Sequence, residues 1–67
     1  MEKLYTLDEA ATVMGTAGRF PRRLVAERRI RFVKVGRFVR IPESAIHEFL
    51  HEGTVDAVVR PKGRWAS

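Results

Sequence analysis

Two groups of residues in this 67-residue chain have types and spacings that could do chemistry. His47, Glu48 and His51 form the pattern H-E-x-x-H, in which two histidines one helical turn apart can bind zinc and the glutamate can act as a general base. The second group is a run of arginines and lysines, whose charge suits binding to a polyanion rather than catalysis. The elements that position these residues decide which class of protein the chain represents.

The zinc interpretation requires more than the chain offers. Catalysis needs a third ligand and a substrate cleft, and so short a chain has little material for either. The sequence contains no cysteine, so neither thiolate-bound zinc nor a disulfide can stabilise the fold. Phe49 and Leu50 are explained as core residues of a helix. We therefore expect a protein that is not an enzyme, with no catalytic residue, metal, cofactor or small-molecule substrate.

The basic residues are concentrated in one third of the chain. Residues 19–41 contain nine basic side chains and one acidic side chain, a local charge of +8, whereas the whole chain has a formal net charge of +5. Such a segment is typical of a protein that binds a polyanion, most often nucleic acid. Two alternatives remain: a solvated face without a partner, and an adaptor whose basic face meets an acidic protein.

Helical periodicity predicts a short first helix and a tight connection over residues 15–18. Thr6 and Glu9 have the spacing of a capping box, and Gly15 ends the helix. The second helix begins close to residues 17–20, because Pro21 is acceptable only in the first turn.

The second helix separates its apolar and basic residues. At about 100° per residue, one face is apolar apart from Arg28, and the opposite face is basic. The first face consists of Pro21, Leu24, Val25 and Arg28; the second consists of Arg19, Arg22, Arg23 and Ala26. Either the helix stops near Arg28, or the aliphatic stem of this residue lies across the core.

The remaining residues predict a β-hairpin and a third helix. Residues 30–41 are rich in β-branched and aromatic residues around Gly36-Arg37, a pair that suits a two-residue type II′ turn. In this register one face holds Phe32, Lys34, Val39 and Ile41, and the other holds Val33, Val35, Phe38 and Arg40. Both faces are partly apolar, so the pattern leaves open which is buried. Pro42 opens the third helix, with Ile46, Phe49 and Leu50 facing inward and Gly53 at its end.

This order of elements predicts an α+β fold, a small winged helix-turn-helix with a two-stranded β wing and a C-terminal helix. The domain covers residues 1–53, and residues 54–67 form a basic tail, in which Val55, Val58 and Val59 predict a further helical turn or a short strand. No apolar run is long enough to cross a membrane, and the first residues do not resemble a signal peptide. We expect a soluble, cytoplasmic protein.

A helix-turn-helix protein inserts its second helix into the major groove of double-stranded DNA. Arg19, Arg22 and Arg23 would reach guanine edges or phosphates there. The wing, with Lys34, Arg37 and Arg40, would meet the adjacent backbone or the minor groove. The sequence does not divide these residues between base contacts and phosphate contacts.

The ordered series of motifs resembles the phage excisionase family, which is related to the DNA-binding domains of MerR-type regulators. The resemblance covers about residues 4–52. It is carried by Tyr5-Thr6-Leu7-Asp8-Glu9-Ala10-Ala11, Gly15, the arginine-rich helix, Arg29-Ile30, Val33-Lys34-Val35-Gly36-Arg37 and Arg40-Ile41-Pro42. It implies that Arg19, Phe20, Arg22 and Arg23 belong to the recognition helix and residues 34–37 to the wing. The chain departs from the family pattern at Pro21, where an aliphatic residue is usual, and at Arg28, where glycine is common.

The resemblance also implies a function. Excisionases bind DNA side by side, bend it, and help a phage integrase to excise the prophage. The implied partners are double-stranded DNA, an integrase and other copies of the chain, arranged head to tail, in a bacterial host and in association with its nucleoid. The alternative is a small MerR-like transcriptional regulator that uses the same helix and wing.

Two features lie apart from the predicted DNA face. Phe20 and Phe38 either complete the core, which a domain this small favours, or form contacts between neighbouring copies. The tail, residues 54–67, is either a loosely ordered end or a segment that docks on a neighbouring copy, on DNA or on integrase.

Overall fold

The computed structural model describes residues 1–57, which form three helices and a small antiparallel sheet. The elements are β1 (Leu4–Tyr5), α1 (Leu7–Met14), α2 (Arg19–Ala26), β2 (Val33–Val35), β3 (Phe38–Pro42) and α3 (Glu43–Glu52). The sheet has the strand order β1-β3-β2. This arrangement confirms the predicted α+β winged helix-turn-helix, in which the hairpin of β2 and β3 is the wing. Residues 54–57 form neither helix nor strand, and the predictions for Val58, Val59 and the rest of the tail lie outside the described residues.

The start and the end of α1 follow directly from its sequence. The Glu9 backbone N–H donates to the Thr6 hydroxyl, and the Thr6 backbone N–H donates to the Glu9 carboxylate, each at 3.0 Å. The predicted capping box is therefore confirmed. Gly15 ends the helix with φ of 73°, a conformation that glycine adopts without a Cβ penalty.

The core lies where α1, α2, α3 and the sheet meet. Its buried members are Ala10, Leu24, Ile30, Ile41, Ala45 and Ile46. Ala10 and Ala11 are the buried residues of α1, and their small side chains let this helix approach its neighbours closely. On α2, Pro21 and Leu24 are the buried residues. Pro21 is the third residue of the helix, where its missing N–H deprives the helix of no hydrogen bond.

The hairpin has the predicted register. Val33 pairs with Arg40, Lys34 with Val39, and Val35 with Phe38. Ile41 is fully buried and Phe32 packs against the core, so their face of the hairpin is the inner one. The structure thus shows which face of the hairpin is buried, a question that the alternation of residue types left open.

The third strand, β1, was not predicted from the sequence. Leu4 pairs with Pro42 and Tyr5 with Ile41, which places β1 at the edge of the sheet opposite β2. A two-residue strand is too short to show periodicity. Its partner lies far along the chain, so only the tertiary fold reveals the pairing.

The segment before β1 supplies the cap that α3 lacks. Pro42 precedes α3 and offers no side-chain cap. Instead, the Glu43 N–H donates to the Lys3 carbonyl at 2.9 Å, and the Ser44 N–H donates to a Glu2 carboxylate oxygen at 2.8 Å. The Ser44 hydroxyl donates to the other Glu2 oxygen at 3.1 Å. The hydrogen bond from the Ser44 backbone, followed by that from its hydroxyl, lowers the pKa of Glu2.

The third helix differs from its prediction at one residue. Ile46 is buried and Phe49 packs against the core, as predicted, and the helix ends at Gly53. Leu50 was predicted to face inward, and this is wrong: its side chain is 42% exposed. Ala45 is buried instead, so the inward stripe consists of Ala45, Ile46 and Phe49.

Candidate nucleic-acid interface

The arginine face of α2, defined as Arg19, Arg22 and Arg23, is exposed along its whole length. Pro21 and Leu24 are buried on the other side of the helix and fix its rotation about its own axis. Within residues 1–57, none of the three arginines forms an ion pair. The predicted orientation of the segment around Pro21 is confirmed. Three guanidinium groups are thus available on one helix face for an external anion.

Phe20 lies with the core rather than with the arginine face. Its ring is half-buried and contacts the Phe49 ring edge to face, with centroids 6.2 Å apart. This packing agrees with the interpretation that Phe20 completes the core. A DNA contact by Phe20 stays a prediction, and one that this placement does not favour.

The wing carries further basic side chains, one at its tip and two along its strands. Gly36 has φ of 64°, while Arg37 has no positive φ, and the two signs are those of a type II′ turn. Lys34 and Arg37 are exposed, and the Arg40 guanidinium donates to the Val39 carbonyl at 2.9 Å. The turn therefore places Arg37 at the tip of the wing, with Lys34 on one face of the strands and Arg40 on the other, farther from the turn.

The outer face of the wing, defined as Val33, Val35, Phe38 and Arg40, is apolar and open. Val33, Val35 and Phe38 are 39%, 50% and 53% exposed. The Arg37 and Arg40 guanidinium carbons lie 5.7 Å and 5.3 Å from the centroid of the Phe38 ring, within the range of cation–π attraction. Phe38 is therefore not a core residue, contrary to the interpretation favoured by the small size of the domain. It forms a platform for two of the basic groups at the wing.

Two arginines counted in the basic segment form ion pairs with acidic side chains. Arg29 pairs with Glu27 at 3.1 Å, and Arg31 pairs with Glu48 of α3 at 3.1 Å. Arg31 also donates to the Ser44 hydroxyl at 3.0 Å. The local charge of the sequence thus overstates the charge available to a partner. The ion pair of Arg31 and Glu48 could not be predicted from local sequence patterns, because the two residues are 17 positions apart in the chain.

The H-E-x-x-H residues lie on α3, where Glu48, but neither histidine, borders a small depression. His47 and His51 are exposed, and the Glu48 carboxylate is occupied by Arg31. No group of three or more potential metal ligands occurs in the described part of the chain. A depression of about 90 Å³ lies beside Glu48 and Phe49. This volume is below the several hundred Å³ of a typical small-molecule pocket.

A helix-turn-helix with an exposed arginine face on its second helix, followed by a basic β wing, defines a winged helix-turn-helix protein. Residues 4–54 match the family described as "Helix-turn-helix domain", and the chain belongs to this family. The family includes excisionase-like DNA-binding proteins, and membership indicates that the chain binds DNA. No curated protein and no solved structure shows significant similarity to the chain. In the helices of residues 1–57, no segment has the length and apolar character needed to cross a membrane.

Proposed function

We propose that this protein is an excisionase-like directionality factor that binds and bends DNA and directs an integrase toward excision. The observation that carries this proposal is the exposure of Arg19, Arg22 and Arg23 on the helix that follows the turn. A helix of this diameter fits the major groove, and its outward guanidinium groups can contact guanine edges or phosphates. The protein would act through binding alone, without catalysis.

The wing supplies the second contact. Lys34 and Arg37 are exposed, and Arg40 lies beside Phe38. In the proposed complex the helix occupies the major groove while these residues contact the neighbouring backbone or the minor groove. A protein that contacts two grooves can hold DNA in a bent form, because the extra contacts offset the energy of bending.

The small size of the domain supports the proposal that several copies act together. One short helix and one short wing contact few base pairs, so useful affinity requires neighbouring copies or a partner such as integrase. The apolar part of the outer face, Val33, Val35 and Phe38, is the surface we assign to contact between copies, because these side chains are exposed. Direct repeats in the DNA site would fit a head-to-tail array, whereas inverted repeats would fit a symmetric dimer.

An excision assay tests this function. The protein is added to an integrase and a plasmid that carries both prophage attachment sites, and the excised circle is measured; a circularly permuted gel-shift assay measures bending. We expect excision to depend on the protein and to fall with Arg22→Ala. The alternative, a transcriptional regulator, would be favoured if the protein binds and regulates a promoter but has no effect on excision by any integrase encoded on the same mobile genetic element. Binding to an acidic protein but not to DNA would refute both.

A further inference from the structure

The C-terminal end of α2 forms a Schellman motif. The Arg28 N–H donates to the Val25 carbonyl at 3.0 Å, and the Arg29 N–H donates to the Leu24 carbonyl at 2.8 Å. Arg28 therefore occupies the position after the cap, which this motif places in the left-handed region. Its φ is 55°.

The C-terminal end of α1 forms the same motif with a different residue. The Gly15 N–H donates to the Thr12 carbonyl at 3.2 Å, and the Thr16 N–H donates to the Ala11 carbonyl at 2.9 Å. Here the left-handed residue is a glycine with φ of 73°. The chain thus uses the favoured residue at one helix end and a long, charged residue at the other.

Arginine is a costly choice at this position. A left-handed L-residue brings its Cβ too close to the following carbonyl oxygen, and glycine avoids this contact. Among the described residues, Arg28 is the one non-glycine residue with positive φ. A residue held in such a conformation points to a role that folding alone does not explain.

The side chain of Arg28 gives no sign of a role in folding. It is exposed, and within residues 1–57 it forms neither an ion pair nor a side-chain hydrogen bond. Its neighbours differ, since Arg29 pairs with Glu27 and Arg31 pairs with Glu48. A positive charge at a helix C-terminus also interacts favourably with the helix dipole. That attraction does not require a left-handed backbone, since Arg29 is also near the helix end and has no positive φ.

The position of Arg28 in the fold indicates which group its guanidinium could bind. It follows the last turn of α2, whose arginine face is exposed, and it precedes the segment that leads into the wing. The two elements that we assign to DNA therefore lie on either side of it along the chain. In homeodomains, which are also helix-turn-helix proteins, the C-terminal end of the recognition helix contacts the DNA backbone.

We propose that Arg28 is a further DNA-binding residue that contacts a phosphate at the C-terminal end of the recognition helix. The proposal rests on the DNA face described under the proposed function, and adds a residue to it. The backbone strain is the cost of having a guanidinium group where folding favours glycine. Removing this group should change stability and DNA affinity in opposite directions.

The experiment compares Arg28→Gly with wild type in two measurements. Thermal unfolding followed by circular dichroism should show a Tm raised by about 4 °C, because the strain is relieved. Fluorescence anisotropy with a short, random-sequence DNA duplex should show an affinity about threefold lower. The slope of log affinity against log salt should become less steep by about 0.9, the value for one phosphate contact.

Three further variants serve as controls. Lys3→Gln removes one charge from the segment beside β1, at the sheet edge opposite β2, and should leave the salt slope unchanged. Arg28→Lys keeps both the charge and the strain, so its slope should remain that of wild type. Arg22→Ala removes a charge from the arginine face and tests that face independently.

Two results would overturn the inference. One is an Arg28→Gly variant whose affinity and salt slope match those of Lys3→Gln; the other is a variant whose Tm falls, which would show that Arg28 serves folding. If Arg22→Ala weakens binding in that same experiment, the assignment of the arginine face to DNA is retained and only the inference about Arg28 is wrong. If Arg22→Ala also has no effect, the assignment of the DNA face is wrong as a whole.

Discussion

Helix α2 and the wing both present arginines, but they hold them in different ways. The arginine face of α2 is backed by Pro21 and Leu24, which are buried in the core. Arg37 at the tip of the wing has no such backing, because the core-facing residues of the hairpin, Phe32 and Ile41, lie at its other end. Arg37 and Arg40 are held instead by contact with the Phe38 ring.

This difference indicates that α2 and the wing have different roles in binding DNA. Reading a base edge requires donors at fixed positions, and a helix whose rotation is set by buried side chains provides them. A phosphate contact carries no sequence information directly, so a side chain that is held less rigidly can make it at any site along the backbone. We therefore expect α2 to determine sequence specificity and the wing to contribute affinity for DNA of any sequence.

The largest effect should come from removing the support of the arginine face. Leu24 is fully buried, and Leu24→Ala leaves a cavity that costs about 2–5 kcal/mol. A core of this size rarely supplies more than about 3–5 kcal/mol of stability, so the loss is comparable with the whole free energy of unfolding and should lower Tm steeply. Circular dichroism and thermal unfolding measure this outcome.

The matched control on the wing is Val35→Ala. Val35 is 50% exposed, so its truncation should change the free energy of unfolding by no more than about 0.5 kcal/mol. Similar losses of stability in the two variants would contradict the view that α2 is supported by the core and the outer face of the wing is not.

The second prediction concerns the specificity of α2. Arg22→Ala should cost about 1–3 kcal/mol of binding energy if its guanidinium contacts a guanine, and discrimination at that base should be lost. Binding is measured with a set of duplexes that vary one base pair at a time within the footprint. A loss of affinity that is equal for all duplexes would place Arg22 on a phosphate instead.

The third prediction concerns the wing and is smaller. Arg37→Ala should weaken binding to every duplex by a similar factor, by about 0.2–1 kcal/mol, because an exposed charge pair is worth little. The salt dependence should become less steep by about 0.9. A selective loss at one base step would show that the wing reads sequence and would remove the proposed difference between the two elements.

The sequence predicted best those features that are local along the chain. The capping box of Thr6 and Glu9, the end of α1 at Gly15 and the hairpin register are set by residues a few positions apart. The orientation of α2 was also predictable, since apolar and basic residues separate cleanly around the helix. The end of α1, the orientation of α2 and the register of the hairpin together determine where most of the candidate DNA-binding residues lie.

The features that were missed depend on contacts between distant residues. Strand β1 exists because it pairs with β3, and Arg31 is removed from the basic surface by Glu48 on α3. Leu50 was misplaced because a helix stripe of three residues leaves its rotation uncertain by about one position, and Ala45 took the inward place. A place in the core was favoured for Phe38 because of its size, whereas the burial of Ile41 on the opposite face of the hairpin puts Phe38 outside.

The smallest predicted effect lies at the sheet edge opposite β2 and should alter stability without altering DNA binding. Hydrogen bonds from the Ser44 N–H and hydroxyl to Glu2 lower the pKa of this carboxyl below 4.5 in the folded state. A lowered folded-state pKa stabilises the protein fully above the unfolded-state pKa, and this contribution is lost as the pH falls through the folded-state value. Glu2→Gln should therefore lower Tm slightly at pH 7, and the difference from wild type should close below pH 4.5.

Two comparisons make this last prediction decisive. Ser44→Ala keeps the backbone N–H, the largest cause of the shift, and should keep most of the pH dependence. DNA affinity of Glu2→Gln at pH 7 should equal that of wild type, because β1 lies across β3 from the wing strand β2. A weakened affinity at unchanged salt slope would mean that the capping of α3 is transmitted to the arginines. The arginine face would then depend on the whole domain rather than on Pro21 and Leu24.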